Sequence, residues 1–430
     1  MQQKLNIHKS ISILVIWFMA ISSSANAQFT IGGQLLSRGE YRNGYGHLIG
    51  KGQKPYFGVG QRTRIDFQYD HEKVKFFTSV QDVRTWGSTS QANLTDDFLS
   101  VHEAFTEVPL GNLWALKLGR QELNYDNARF LGNLDWALQA RSHDFAVVKF
   151  EREHMKLHIG AGYNQAKAAL AREPYTVNNQ YKTAQLLHYE NQWGSLESCF
   201  LFWNNGLEQD NQGKLKIRYT QTVGFPEVLY KVGDFAFSGF YYRQFGKNIT
   251  GQKTDAYNAS IQASQKINWD EDGGRKLQTT LGYEVLSGTS QQANDNVNRS
   301  YNPFYGTNHA YNGYMDFFYA GGRHNNSVGL QDFFLRLRFD PTQKLFLSLN
   351  THHFLAAADV YVSSERLNNT LGTELDFTIG LRANKVISLQ GGYSHFFASE
   401  SFKVISAESN PATLQNWGYV SLLIQPEQEE

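Results

Sequence analysis

The sequence predicts an all-β chain: a single closed antiparallel β-barrel of about 16–18 strands that crosses a membrane, with short periplasmic turns and long extracellular loops. Three observations predict it. Apolar and polar residues alternate with a period of two from end to end. The composition is rich in aromatics and glycine, at 14% Phe, Trp and Tyr with 37 glycines, against 8 prolines and 4 methionines. The chain also opens with an export leader.

The leader comes first. Lys4, His8 and Lys9 supply a positive start, and Ile11 to Ile21 forms a short apolar core. Ala25-Asn26-Ala27 is an A-x-A cleavage signature. The expected division is therefore a cleaved signal peptide over 1–27, a barrel over 28–426 and a short acidic tail over 427–430. The apolar core is shorter than the roughly 20 residues a transmembrane helix needs. After Gln28 no stretch of 18 apolar residues occurs, and mean hydropathy is negative, which excludes a bundle of membrane helices.

The strands follow in order. In Gln61 to Tyr69, Arg62, Arg64, Asp66 and Gln68 alternate with Thr63, Ile65, Phe67 and Tyr69. In Lys214 to Val223, Lys214, Lys216, Arg218 and Thr220 face one way and Leu215, Ile217 and Tyr219 the other. Phe333 to Phe339 sets Arg336 and Arg338 against Leu335, Leu337 and Phe339. Glu374 to Arg382 sets Glu374, Asp376, Thr378 and Arg382 against Leu375, Phe377, Ile379 and Leu381. Ser388, Gln390, Gly392 and Ser394 then oppose Ile387, Leu389 and Tyr393, and Asn416 to Gln425 reads as the last strand. Side chains on a strand point alternately to its two faces, so each segment has one apolar and one polar face. A soluble sandwich alternates too. The dense charge on the polar face and the aromatics on the apolar one favour a lipid band around a wet lumen.

The connections carry their own signals. Asp70-His71-Glu72 and Asp340-Pro341-Thr342 are compact turns. Asn43 to Pro55, Ser88 to Asp97 and Gly288 to Asn312 are long and polar. At about 22 residues per strand and connection, one barrel absorbs the whole mature chain.

Charge and cysteine content exclude other classes. Forty basic and forty acidic residues cancel, so no nucleic-acid partner is indicated. Cys199 is the single cysteine and cannot form a disulfide within the chain; its strand-like surroundings predict a packed side chain. No Gly-x-Ser-x-Gly elbow, no His-Glu-x-x-His and no cysteine pair occurs, and His352-His353 fall on opposite faces of one strand. No enzyme, metal or cofactor is expected.

Three segments resemble the alginate export family of outer-membrane barrels. The first runs Leu118-Gly119-Arg120-Gln121-Glu122-Leu123, Asn124-Tyr125-Asp126 and Arg129-Phe130-Leu131-Gly132, then Asp135-Trp136, Arg141 and Asp144. The second is Asn302 to His309 followed by Asn312 to Asp316, and the third is Gly392 to Glu400 leading to Asn416-Trp417. The resemblance implies about 18 strands, an arginine-bearing lumen and a path for an anionic polysaccharide.

The polar faces independently carry more basic than acidic groups within a neutral chain. Low-dielectric walls would focus that field along the pore, and arginine's planar fork suits carboxylates. The expected pore-lining or constriction residues are Arg62, Arg64, Arg120, Arg129, Asp135, Arg141, Asp144, Lys216, Arg218, Arg336, Arg338 and Arg382. The expected function is passive, selective passage of anionic solutes or anionic polysaccharide across the outer membrane. Lipids surround the pore, and periplasmic export proteins are possible partners. A barrel enzyme acting on lipids and a secreted glycan-binding β protein are the alternatives.

Overall fold

The computed structural model describes residues 27–92, 97–211, 214–270, 274–318, 327–406, 408 and 410–426. The expected leader and acidic tail lie outside the described residues, apart from Ala27.

The chain forms β1 (Ala27–Asn43), β2 (Tyr56–His71), β3 (Val74–Thr85), β4 (Leu99–Pro109), β5 (Trp114–Gln121), β6 (His143–Arg152) and β7 (Met155–Tyr163). Then come β8 (Thr183–Trp193), β9 (Leu196–Asn211), β10 (Lys214–Val232), β11 (Phe235–Lys247), β12 (Lys253–Asn268) and β13 (Lys276–Leu286). The two-residue β14 (Val297–Asn298) precedes β15 (Leu330–Thr342) and β16 (Leu345–Leu355). The two-residue β17 (Tyr361–Val362) and β18 (Glu365–Arg366) precede β19 (Thr370–Arg382), β20 (Ile387–Ala398) and β21 (Asn416–Ile424). Leaving out the three two-residue strands, each strand pairs antiparallel with the next in sequence. β21 returns to β1 through registers such as Ser421↔Arg38 and Trp417↔Arg42. The sheet is a closed barrel of 18 strands. Closure joins the first strand to the last, so the sheet has no open edge and its backbone can be paired without water, the condition for crossing a bilayer in β form.

The two ends differ. At one end the strands turn within a few residues, through Glu72-Lys73, Gly194-Ser195, Gly233-Asp234 and Gln343-Lys344. Gly194 takes φ +60°, as a two-residue hairpin turn requires. Residues 44–55, 122–142, 164–182, 287–329 and 399–415 connect strands at the opposite end. Trp114, Trp193, Phe235 and Trp269 stand exposed beside the short turns, and Tyr56, Trp86, Tyr163 and Phe245 near the long loops. Between these rings the outer face carries Ile65, Phe67, Ile261, Leu281, Phe377 and Val420, all exposed. Exposed apolar surface on this scale belongs in hydrocarbon, and the aromatic rings mark its two interfaces.

The expected alternation holds in register. Arg62, Arg64, Asp66 and Gln68 share a face with their β1 partners Leu36, Gln34, Gly32 and Thr30. The last strand ends at Ile424, one residue before the expected Gln425. Pro226 lies where β10 bulges between Phe225 and Val228, a place where a residue without an N–H costs no ladder bond.

Candidate pore and its constriction

Two of the long loops fold inward and meet. Leu131 of the 122–142 loop forms a parallel bridge with Tyr305 of the 287–329 loop. The Gly132 N–H donates to Tyr305 O at 2.9 Å and the Thr307 N–H to Ala128 O at 2.8 Å. Arg129 lies at the centre of the joint, fully buried. Its guanidinium contacts Glu284 of β13 at 2.6 Å and donates to Asn312 at 2.9 Å and Asn308 at 3.2 Å. The Asn312 amide donates in turn to Glu284 and Asp332, both at 3.0 Å. Asp332 pairs with His352 at 2.9 Å. The Met315 N–H donates to Glu374 at 2.8 Å. Gly313, at φ +85°, lies so close to Glu374 that a Cβ there would come within 2.5 Å of its carboxylate.

A second set of contacts ties the 122–142 loop to the opposite wall. Arg62 of β2 is buried and contacts Asp135 at 2.8 Å, Leu138 O at 3.2 Å and Gln34 at 2.9 Å. Arg64 lies 3.8 Å from Asp135 and donates to Gln81 at 2.8 Å. Arg38 of β1 donates to Trp136 O at 2.8 Å, and its guanidinium lies 4.2 Å from the Trp136 ring centre. Trp136 stacks on His309 at 4.3 Å and meets Tyr419 edge-on at 5.0 Å.

Arg38 and Trp136 separate two cavities. The one towards the long loops holds about 670 Å³ and is lined by Arg38, Arg42, Arg84 and Arg141, with Glu40 and Asp316 as its carboxylates. The one towards the short turns holds about 510 Å³ and is lined by Arg38, Arg338, Lys344 and Arg382, with Asp135 and Asp340. Each has four basic side chains against two acidic ones. Arg141 donates to Gly306 O at 3.0 Å and has no ion pair among the described residues. Burial lowers its pKa to about 10, which leaves it cationic at neutral pH.

The family model for alginate export matches residues 27–411. The chain belongs to the alginate export family. Solved structures of outer-membrane porins share its fold. Acinetobacter baumannii OccAB4 aligns with TM-score 0.62 at 12% identity, over 94% of this chain and 98% of that one. Pseudomonas aeruginosa OccK11 (OpdR) aligns with TM-score 0.56 at 12% identity, over 92% and 96%. A search of curated proteins finds no match. This alginate export family member is an integral β-barrel of the outer membrane and forms a pore for solutes. Its family and fold are those of pores rather than enzymes.

The sequence-predicted residues separate into three groups. Arg62, Arg64, Asp135, Arg141, Arg338 and Arg382 surround the two cavities or hold the loop between them. Arg129 is instead buried in the loop joint and neutralised. Lys216 and Arg218 share the inward face with Thr220, and Arg336 lies over Phe334 at 4.5 Å, beside Glu284 in a separate, smaller cavity. Arg120 and Asp144 leave the expected site altogether. They pair across β5 and β6 at 3.2 Å, both well exposed, on the face that carries Leu118 and Val148. Gln121 and His143 take the inward positions there and are buried. The one-residue phase of these short strands decides this, and their motif alone does not show it.

Sequence reasoning missed Arg38, Trp136 and Lys344 as a group. Arg38 was legible as a lumen-facing cation and Trp136 as a motif residue. Their stacking depends on how deeply the loop enters the barrel.

Proposed function

We propose that the pore passes carboxylate-bearing solutes selectively, with uronates and short anionic saccharides as the class. One observation carries this reading: Arg38, stacked on Trp136, stands between two cavities that are each rich in basic side chains. A solute crossing from either side meets this guanidinium with low-dielectric protein around it, where a fixed charge acts more strongly than in water. Arginine also offers a carboxylate two parallel donors, which favours it over halide. The family's alginate export description and the vanillate in a structure of Pseudomonas aeruginosa OpdK, aligned with TM-score 0.55 at 9% identity, agree with a carboxylate cargo. Passage of an extended polymer requires the 122–142 loop to move, because Trp136 of that loop lines both cavities. The leader over 1–27 directs export and is removed, surrounding lipids hold the barrel, and the chain carries out no catalysis.

Planar bilayers with a salt gradient across the purified protein test this. The expected result is an anion-selective reversal potential, and reversible current block by a uronate oligosaccharide at concentrations where a neutral oligosaccharide does nothing. Cation selectivity overturns the reading.

A further inference from the structure

Away from the path just described, four potential metal ligands converge on the inner wall. They are Asp126, His188, Glu190 and Cys199, with one donor atom from each lying within 4.8 Å of all the others. Three chain segments supply them. Glu190 of β8 and Cys199 of β9 are direct cross-strand partners. His188 lies two residues from Glu190 and so projects from the same face. Asp126 comes from the 122–142 loop, whose Asn127 donates to Pro226 O at 2.8 Å.

Charge and burial distinguish this cluster from an ordinary ion-pair network. The side chains of Asp126 and His188 are both 2% exposed and touch at 2.7 Å through His188 Nε2. His188 Nδ1 is buried without a partner, so this ring nitrogen can face an ion without a bond being lost. Glu227 lies close enough to interact with both Asp126 and Glu190. Lys156 neutralises Glu190 and Lys231 neutralises Glu197. Asp126 has no ion pair with a lysine or arginine among the described residues, and Lys231, paired with Glu197, is the cation that acts on Glu227. The Asp126 carboxylate accepts from His188 and from the Cys199 thiol, and a divalent cation bound here would replace both protons as the partner of this buried carboxylate.

The donor set selects the ion. One nitrogen, one sulfur and two carboxylates form a set suited to zinc or a similar transition metal, whereas calcium and magnesium take oxygen alone. Tetrahedral zinc with bonds of about 2.0–2.3 Å sets its ligand atoms about 3.3–3.8 Å apart, within reach of the observed cluster. We propose that Asp126, His188, Glu190 and Cys199 form a transition-metal site that fastens the inward loop to the β8–β9 wall. On binding, the Cys199 thiol gives its proton to solvent and the thiolate bonds to the metal.

Cobalt is the probe, because Cys199 is the sole cysteine and any thiolate-to-cobalt absorption band reports on it alone. Full-length protein, reduced and freed of metal, is titrated in detergent with Co2+. The expected result is a thiolate band that saturates at one ion per chain and is abolished by adding Zn2+. Cys199→Ser removes the band. Asp126→Asn keeps it but weakens binding by about tenfold or more, with heat-modifiable migration confirming that the variants are folded. Absence of the band in the unmutated protein overturns the proposal without relying on any variant. Unchanged cobalt affinity in Asp126→Asn does so too.

Discussion

Along β1, β2, β19 and β20 the inward positions include Arg38, Arg62, Arg64, Arg382 and Gln390; along β6, β8 and β9 they include Phe145, Val147, Leu186, Leu201 and Trp203. The first wall faces two cavities and holds the 122–142 loop by arginine contacts to Asp135, Trp136 O and Leu138 O. The second wall has no such space. Phe145 stacks on Trp203 at 5.7 Å, and Trp203 meets Tyr305 of the 287–329 loop at 5.6 Å. Phe130 of the 122–142 loop reaches Trp203 at 6.4 Å and Tyr242 at 5.8 Å. The same two loops are thus glued by apolar burial on one side and held by hydrogen bonds and charge on the other. Burial is non-directional and excludes water, whereas the arginine contacts stand beside two open cavities. On the function proposed above, the difference confines the solute path to one side of the barrel.

The joint between the walls offers the sharpest break. Arg129→Met removes the cation and leaves Glu284 buried without it, which costs about 3–5 kcal/mol. The expected outcome is a lower unfolding temperature by heat-modifiable migration, together with noisy conductance as both loops loosen. Phe145→Ala tests the packed wall alone and should cost about 3 kcal/mol. Its reversal potential should match the unmutated pore, and a changed selectivity would show that the path also touches the aromatic side. Arg38→Glu tests the open wall. Arg38 also lies 3.5 Å from buried Glu40, so the reversal should lower the unfolding temperature too, and it should lower relative anion permeability by about fivefold, on the order of 1 kcal/mol, more at low salt than at high.

How much of this the sequence reveals follows the same division. Strand phase is legible wherever a long run alternates, so Arg62, Arg64, Arg338 and Arg382 are assigned to the lumen from periodicity alone. The apolar lipid face and the placement of short turns and long loops are legible for the same reason. The loop interior is not. Residues 122–142 and 300–318 have no period, and the Leu131–Tyr305 bridge joins residues far apart in the chain. Family resemblance singles out both segments without saying that they touch. Arg129 shows the limit: the chain presents it as one more cation near the pore, and only its contacts with Glu284 and Asn312 show it to be neutralised. Phase also fails in short strands. β5 has eight residues, too few to fix by pattern which of Arg120 and Gln121 faces inward.

Arg120 and Arg141 turn that failure into the finest test. Both belong to the same sequence signature, and the sequence alone gives them the same role. In the structure Arg141 lines the larger cavity with no ion pair among the described residues, while Arg120 pairs with exposed Asp144 on the outer face. An exposed pair contributes about 0–1 kcal/mol, and its field is screened beyond about 10 Å at moderate salt. Arg141→Ala should therefore lower anion selectivity, by less than Arg38→Glu because it deletes a charge rather than reversing one. Arg120→Ala should leave both selectivity and unfolding temperature unchanged within error. Equal losses in the two variants, measured as reversal potentials under one salt gradient, would mean that β5 runs in the opposite phase and that Arg120 faces the lumen after all.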